Sequence, residues 1–145
     1  MRIVLQKVNH AQVTIDGEVV GKIGKGYMLL VGFAPTDGDE QLDYLVHKVI
    51  NLRVFEDDHG KMNKGLSDVG GAILSISQFT LYADTKHGNR PGFTDAARSE
   101  IAEPLYNRFN QKLAATGVHV ETGHFGADMK VDLENDGPTT IIYEK

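Results

Sequence analysis

The stretch Ser77-Gln78-Phe79-Thr80 puts three hydrogen-bonding side chains within four residues, at the end of the largely apolar run from Ala72 to Thr80. Packing alone rarely calls for that density of hydroxyl and carboxamide groups, because each needs a partner once water is excluded. Period-two alternation would set Gln78 and Thr80 on one face of a strand and Ser77 and Phe79 on the other. Just downstream, Lys86, His87 and Arg90 share the polar segment from Asp84 to Thr94. They supply cationic and stacking groups of the kind that hold a nucleic-acid end. From spacing alone, a polar strand end and a working site both remain open.

Other chemistry is narrowed by absence. With Cys 0 there is no thiolate nucleophile, disulfide or zinc ribbon. The Gly-x-Ser-x-Gly elbow of a serine hydrolase does not occur. His119 and His124 are five apart, which puts them on opposite faces of a strand, and no His-Glu-x-x-His is present. His10, His47 and His59 are scattered among polar neighbours, so no metal site is expected. Gly21-Lys22-Ile23-Gly24-Lys25-Gly26 lacks the glycine order and the strand-to-helix context of a phosphate cradle, and no cofactor is expected either. Fifteen Lys and Arg against twenty Asp and Glu give a formal net charge of -5, which argues against coating nucleic acid by bulk charge. Any RNA partner would have to meet a local basic patch.

The elements that must position these residues read as follows. Asp16-Gly17, between Val13 and Val20, is the pair that a two-residue hairpin wants. Tyr27 to Ala34 is a continuous apolar run, expected to be a central strand covered on both faces. Leu42, Leu45, Val46, Val49 and Ile50 form the stripe of an amphipathic helix. Leu52 to Phe55 suggests a short strand, and Ala72 to Thr80 a buried one. A second helical region runs from about Asp95 to Thr116, with Ile101, Leu105, Phe109 and Leu113 spaced by four and Pro104 opening or kinking it. Alternation predicts strands around Val118 to Thr122 and Met129 to Leu133, and another from Thr139 to Tyr143 after the turn Asp136-Gly137-Pro138. The cis or trans state of the Gly137-Pro138 bond stays open.

This order predicts an α/β fold of the α+β type: mostly antiparallel sheet, in a layered β/β/α or barrel-like arrangement, with two main helices packed on one side. At 145 residues, 41% hydrophobic and 24% charged, one domain spanning 1–145 is expected. Charges at Arg2 and Lys7 leave no apolar leader, and the longest apolar run is far short of a bilayer span. A soluble cytoplasmic protein with no membrane partner follows.

Two long motifs then carry a resemblance. Ser77-Gln78-Phe79-Thr80-Leu81-Tyr82-Ala83-Asp84-Thr85-Lys86 with Gly88-Asn89-Arg90-Pro91, and Asn135-Asp136-Gly137-Pro138-Thr139-Thr140, resemble the D-aminoacyl-tRNA deacylase family, also called D-tyrosyl-tRNA deacylase. Met1 to Gln6, Asp16 to Gly21, Asn51 to Phe55 and Glu121 to Met129 are similar to family segments in the same order. Met62 to Asp68 and Gly92 depart from the family pattern, outside the two motifs. The resemblance implies hydrolysis of the ester joining a D-amino acid, and with it glycine, to the terminal adenosine of tRNA. It implies a homodimer in which a cis Gly137-Pro138 enters the partner's site and excludes L side chains. Ser77, Gln78 and Met129 would border the substrate, with Phe79 and Thr80 at the scissile ester. The 2′-hydroxyl of the tRNA would assist in place of a protein nucleophile, and Lys86, His87 and Arg90 would meet the acceptor end. An editing hydrolase of the same fold acting on L-aminoacyl-tRNA, and a noncatalytic RNA-binding module, are the competing readings.

Overall fold

Asp16 and Gly17 both take positive φ (50° and 81°), the left-handed pair that a type I′ turn requires, and they join β1 (Arg2–Ile15) to β2 (Glu18–Ile23). The computed structural model describes residues 1–145. β3 (Gly26–Gly32) lies antiparallel to β1 on one edge and parallel to β6 (Ala72–Ser77) on the other. Tyr27, Leu29 and Val31 point into one core and Met28 into a second, so both faces of β3 are covered and its sequence reads as an unbroken apolar run.

The sheet runs β2-β1-β3-β6-β7, with β7 at Val120–Thr122, and β8 (Lys130–Glu144) pairs along the free edge of β1. β1 shares its other edge between β3, from Arg2 to Val8, and β2, from Ala11 to Ile15. Because β1 bends through that change of partner, β2 comes round against β6 and β7 and the sheet is a nearly closed barrel. Val8, Ala11, Val13, Ile23, Met28, Leu74 and Ile76 fill it. Outside, α1 (Asp39–Ile50) and α2 (Ser99–Ala115) pack side by side on the other face, burying Leu42, Leu45 and Val49 together with Leu105, Phe109 and Leu113. The two helices and the largely antiparallel, barrel-like sheet are those expected. No helix is long and apolar enough to cross a membrane.

Four details differ from the sequence reading. β3–β6 and β6–β7 are parallel pairs, so the sheet is mixed. The crossover from β3 to β6 carries α1 and the small hairpin β4 (Arg53–Glu56) and β5 (Met62–Gly65), which hides the usual βαβ spacing. β5 itself is too polar to announce a strand. The strands expected at Met129–Leu133 and Thr139–Tyr143 are two halves of β8, interrupted by a bulge. Ile101 stays exposed, and α2 buries Ala102 and Tyr106 in its place, with Pro104 accommodated within the helix.

Candidate active site

β6 stops at Ser77, and the alternation expected through Thr80 stops with it. Gln78 adopts φ −146° and ψ 82°, and Phe79–Tyr82 closes into a 3-10 turn. The Gln78 N–H donates to Val31 O at 2.7 Å, a last link to β3. Close approach is possible because position 32 is glycine: a Cβ there would lie 2.9 Å from Gln78 O. Bonding within the turn begins at the Leu81 N–H, which donates to Gln78 O at 3.3 Å. The N–H groups of Phe79 and Thr80 precede that first bond and are left for an outside acceptor. Arg2 clamps the far end, donating from Nη1 to Leu81 O at 3.0 Å with its guanidinium 4.4 Å from the Tyr82 ring centroid. Glu144 holds the same guanidinium at 3.1 Å. Burial pushes the Tyr82 hydroxyl up to about 12, with Asp37 adding to the rise and Arg2 opposing it.

Beside this turn opens a cavity of about 520 Å³. Ser77, Gln78, Phe79 and Met129 line it, joined by Phe93 and Phe125. The Phe79 ring is 56% exposed and meets Phe93 edge-on at 5.0 Å between centroids, which leaves a broad aromatic wall facing the opening. Thr80 lies outside the lining and is exposed, its Oγ1 accepting from Gln78 Nε2 at 2.5 Å. Lys86, His87 and Arg90 are exposed on the adjoining loop, whose ends are tied by the Asp84–Gly92 bridge, and none of them lines the cavity. No three His, Asp or Glu side chains converge anywhere in the chain.

Gly137 and Pro138 are also absent from the cavity of their own chain. Thr140 pairs with Gln6 and Asn135 with Val8, so the four residues 136–139 face Lys7 alone and bulge out of the ladder. Asn135 Nδ2 closes the bulge at its base, donating to Lys7 O at 3.0 Å and Thr139 O at 2.9 Å. Lys7, only 5% exposed, sets its Nζ 3.3 Å from Asp136 Oδ2. Gly137 has φ 120°, and a Cβ there would sit 2.6 Å from Thr139 Oγ1. The Gly137–Pro138 bond is cis, and both residues are exposed at the tip.

The family model for D-Tyr-tRNA(Tyr) deacylase matches residues 4–144. The chain belongs to that family. It is 80% identical over 145 residues to a D-aminoacyl-tRNA deacylase of Limosilactobacillus reuteri, covering 100% of both chains. It is 58% identical over 144 residues to one from Lactobacillus delbrueckii subsp. bulgaricus, covering 99% of each. Among solved structures, it superimposes with a TM-score of 0.93 and 42% identity on the c-Myc DNA Unwinding Element Binding Protein, covering 100% of this chain and 99% of that one. A probable eukaryotic D-amino acid tRNA deacylase, 20% identical at a TM-score of 0.84, shares the fold over 98% of this chain and 97% of its own.

In this deacylase-family chain, Ser77, Gln78, Phe79 and Met129 come together at one cavity, whereas Thr80, the basic loop and the Gly137–Pro138 bulge lie outside it. Arg2, Gly32, Phe93 and Phe125 shape the site and were not anticipated. Phe93, just beyond Arg90-Pro91, is visible in the sequence as an aromatic in a long polar loop, but Arg2 and Gly32 act through contacts distant in sequence.

Proposed function

We propose that the protein hydrolyses D-aminoacyl-tRNA, cleaving the ester between a D-amino acid and the terminal adenosine to release free tRNA and the D-amino acid. Residues 1–145 act as one catalytic domain, working in the cytoplasm as a homodimer. The observation that carries this reading is the aromatic cavity walled by Ser77, Gln78 and Phe79, in a chain 80% identical end to end to a D-aminoacyl-tRNA deacylase.

The aminoacyl-adenosine end enters the cavity, and the unclaimed N–H groups of Phe79 and Thr80 face the oxyanion that develops as the ester is attacked. Each such donor, preorganised by the turn, contributes about 2.7–4 kcal/mol to the transition state. Water attacks with help from the ribose 2′-hydroxyl, and holding that group against the ester supplies the remaining advantage by proximity. The carboxamide of Gln78 fixes the Thr80 hydroxyl as a polar border. Handedness is read by Gly137 and Pro138 of the second copy. Main-chain carbonyls in a bulge braced by Asn135 and by the Lys7–Asp136 pair cannot swing aside, so they exclude an L side chain while a D side chain or glycine passes. Lys86, His87 and Arg90 meet the acceptor end. With a net charge of -5 on the chain, that contact is modest and weakens as salt rises.

Hydrolysis of D-tyrosyl-tRNA and L-tyrosyl-tRNA under matched conditions tests the proposal. Release from the D ester at least about a hundredfold faster is expected for a steric filter worth several kcal/mol. Equal rates favour an L-editing hydrolase of the same fold, and no turnover on either favours a noncatalytic RNA-binding module.

A further inference from the structure

Among the eighteen residues that line the cavity, Arg98 alone carries a charge. Elsewhere Arg2 is paired with Glu144 and Arg108 with Asp39, Arg53 donates to the neutral Asn63, and Arg90 stands unpaired on its exposed loop away from the cavity. No ion pair of the chain engages Arg98. Its side chain is exposed, but its backbone is fixed at both ends. The Ala97 N–H donates to Phe33 O at 2.8 Å, and Arg98 O accepts the opening bonds of α2 from Ile101 (3.0 Å) and Ala102 (2.9 Å). An unpaired guanidinium is thus held from a rigid support at the lip of an otherwise uncharged cavity.

Resting on the deacylase reading above, we infer that Arg98 holds the phosphate immediately 5′ to the terminal adenosine of the tRNA. The ester and the base entering the cavity are neutral, and the α-amine of the amino acid is repelled by a guanidinium. The first negative charge present in every such substrate is that phosphodiester, which must lie at the mouth when the adenosine is inside. A guanidinium presents paired N–H donors that match two phosphate oxygens. Glu100, in the first turn of α2, and Asp95 repel RNA in the same region, so Arg98 also offsets an unfavourable local charge. A side-chain carboxylate on a D-amino acid would suit the same cation, but only some substrates carry one.

Steady-state kinetics of the wild-type protein, Arg98→Ala and Arg98→Lys separate these cases. The substrates are D-tyrosyl-tRNA, D-glutamyl-tRNA and D-tyrosyl-adenosine, the last lacking any phosphate. Arg98→Ala should raise KM about fivefold to twentyfold on both tRNAs, with kcat within about twofold, as expected for loss of a partly exposed charge-assisted contact. It should leave D-tyrosyl-adenosine hydrolysis unchanged and make the slope of log kcat/KM against log salt shallower by about 0.7. Arg98→Lys should recover part of the KM. An equal loss on D-tyrosyl-adenosine, a loss confined to D-glutamyl-tRNA, or no change on any substrate would overturn the assignment. Wild-type protein that releases nothing from D-tyrosyl-tRNA would instead overturn the deacylase reading on which it rests.

Discussion

Thr80 accepts its side-chain hydrogen bond from the Gln78 carboxamide, and a carboxamide cannot take up a proton as an activating base must. On that ground Thr80→Ala should retain single-turnover hydrolysis of D-tyrosyl-tRNA within about tenfold of wild type, the loss of one bordering hydrogen bond. A drop of several orders of magnitude would instead make Thr80 the nucleophile. Arg2 has the opposite profile, far from any motif yet bonded to the carbonyl that ends the turn. Arg2→Ala should raise the activation free energy of hydrolysis by more than it lowers the free energy of unfolding, because the guanidinium is partly exposed while the turn it holds aims the Phe79 and Thr80 N–H groups. Equal changes in both would make Arg2 merely structural. Ser77, Gln78 and Phe79 were legible as candidates because hydroxyl and amide groups interrupt an apolar run. Arg2 was not, because its partners at Leu81 and Glu144 lie 79 and 142 residues away along the chain.

Among the elements, the 3-10 turn from Phe79 to Tyr82 matters most, and Gly32 on β3 sets how closely it packs. Gly32→Ala forces a Cβ to 2.9 Å from Gln78 O, and the turn has to move. The variant should lose about 1–3 kcal/mol of stability by overpacking. Hydrolysis should fall at least about tenfold for a displaced oxyanion donor pair, read by denaturant melts and kinetics on the same sample. Wild-type kinetics would mean that the turn does not position the chemistry. Sequence pattern made α1 and α2 readable by apolar spacing, the β1–β2 hairpin by Asp16-Gly17, and β3 and the buried strand β6 by their strand-length runs. It failed at β6's end, where a polar tetrapeptide suits a strand or a 3-10 turn equally well until Gly32 admits the turn. It failed again at β8, because Asp136-Gly137-Pro138 has the chemistry of a turn between strands and of a bulge within one. Pairing with β1 on both sides decides between them, and that pairing is a tertiary fact.

For the molecule as a whole, burial is the main cause that raises the hydroxyls of Tyr27, Tyr82, Tyr106 and Tyr143 above their ordinary value. The unfolded chain releases these protons near pH 10 while the folded chain retains them. Stability should therefore be full below pH 10 and decline above it, for Tyr82 across the interval from 10.0 to about 12. Tyrosinate absorbance should rise together with the loss of helical circular dichroism. Ionisation of all the tyrosines near pH 10 in an intact fold would contradict the burial argument. The proposed arrangement of two copies turns on the bulge at residues 136–139, which lies outside its own cavity and is exposed at its tip. Deleting Asp136 to Pro138 together with Lys7→Met leaves Thr139 alone opposite position 7, closing the ladder without a buried unpaired cation. Ala96→Trp fills the cavity while keeping the bulge. The most direct measurement is the D-to-L tyrosyl-tRNA rate ratio of the bulge-deleted homodimer and of its mixed dimer with the Ala96→Trp chain. We expect a ratio near one for the first and recovery of the wild-type D preference in the second, since each open cavity then receives an intact bulge from its partner. A bulge-deleted homodimer that keeps the wild-type ratio, or a mixed dimer that fails to regain it, would contradict stereochemical reading by the second copy.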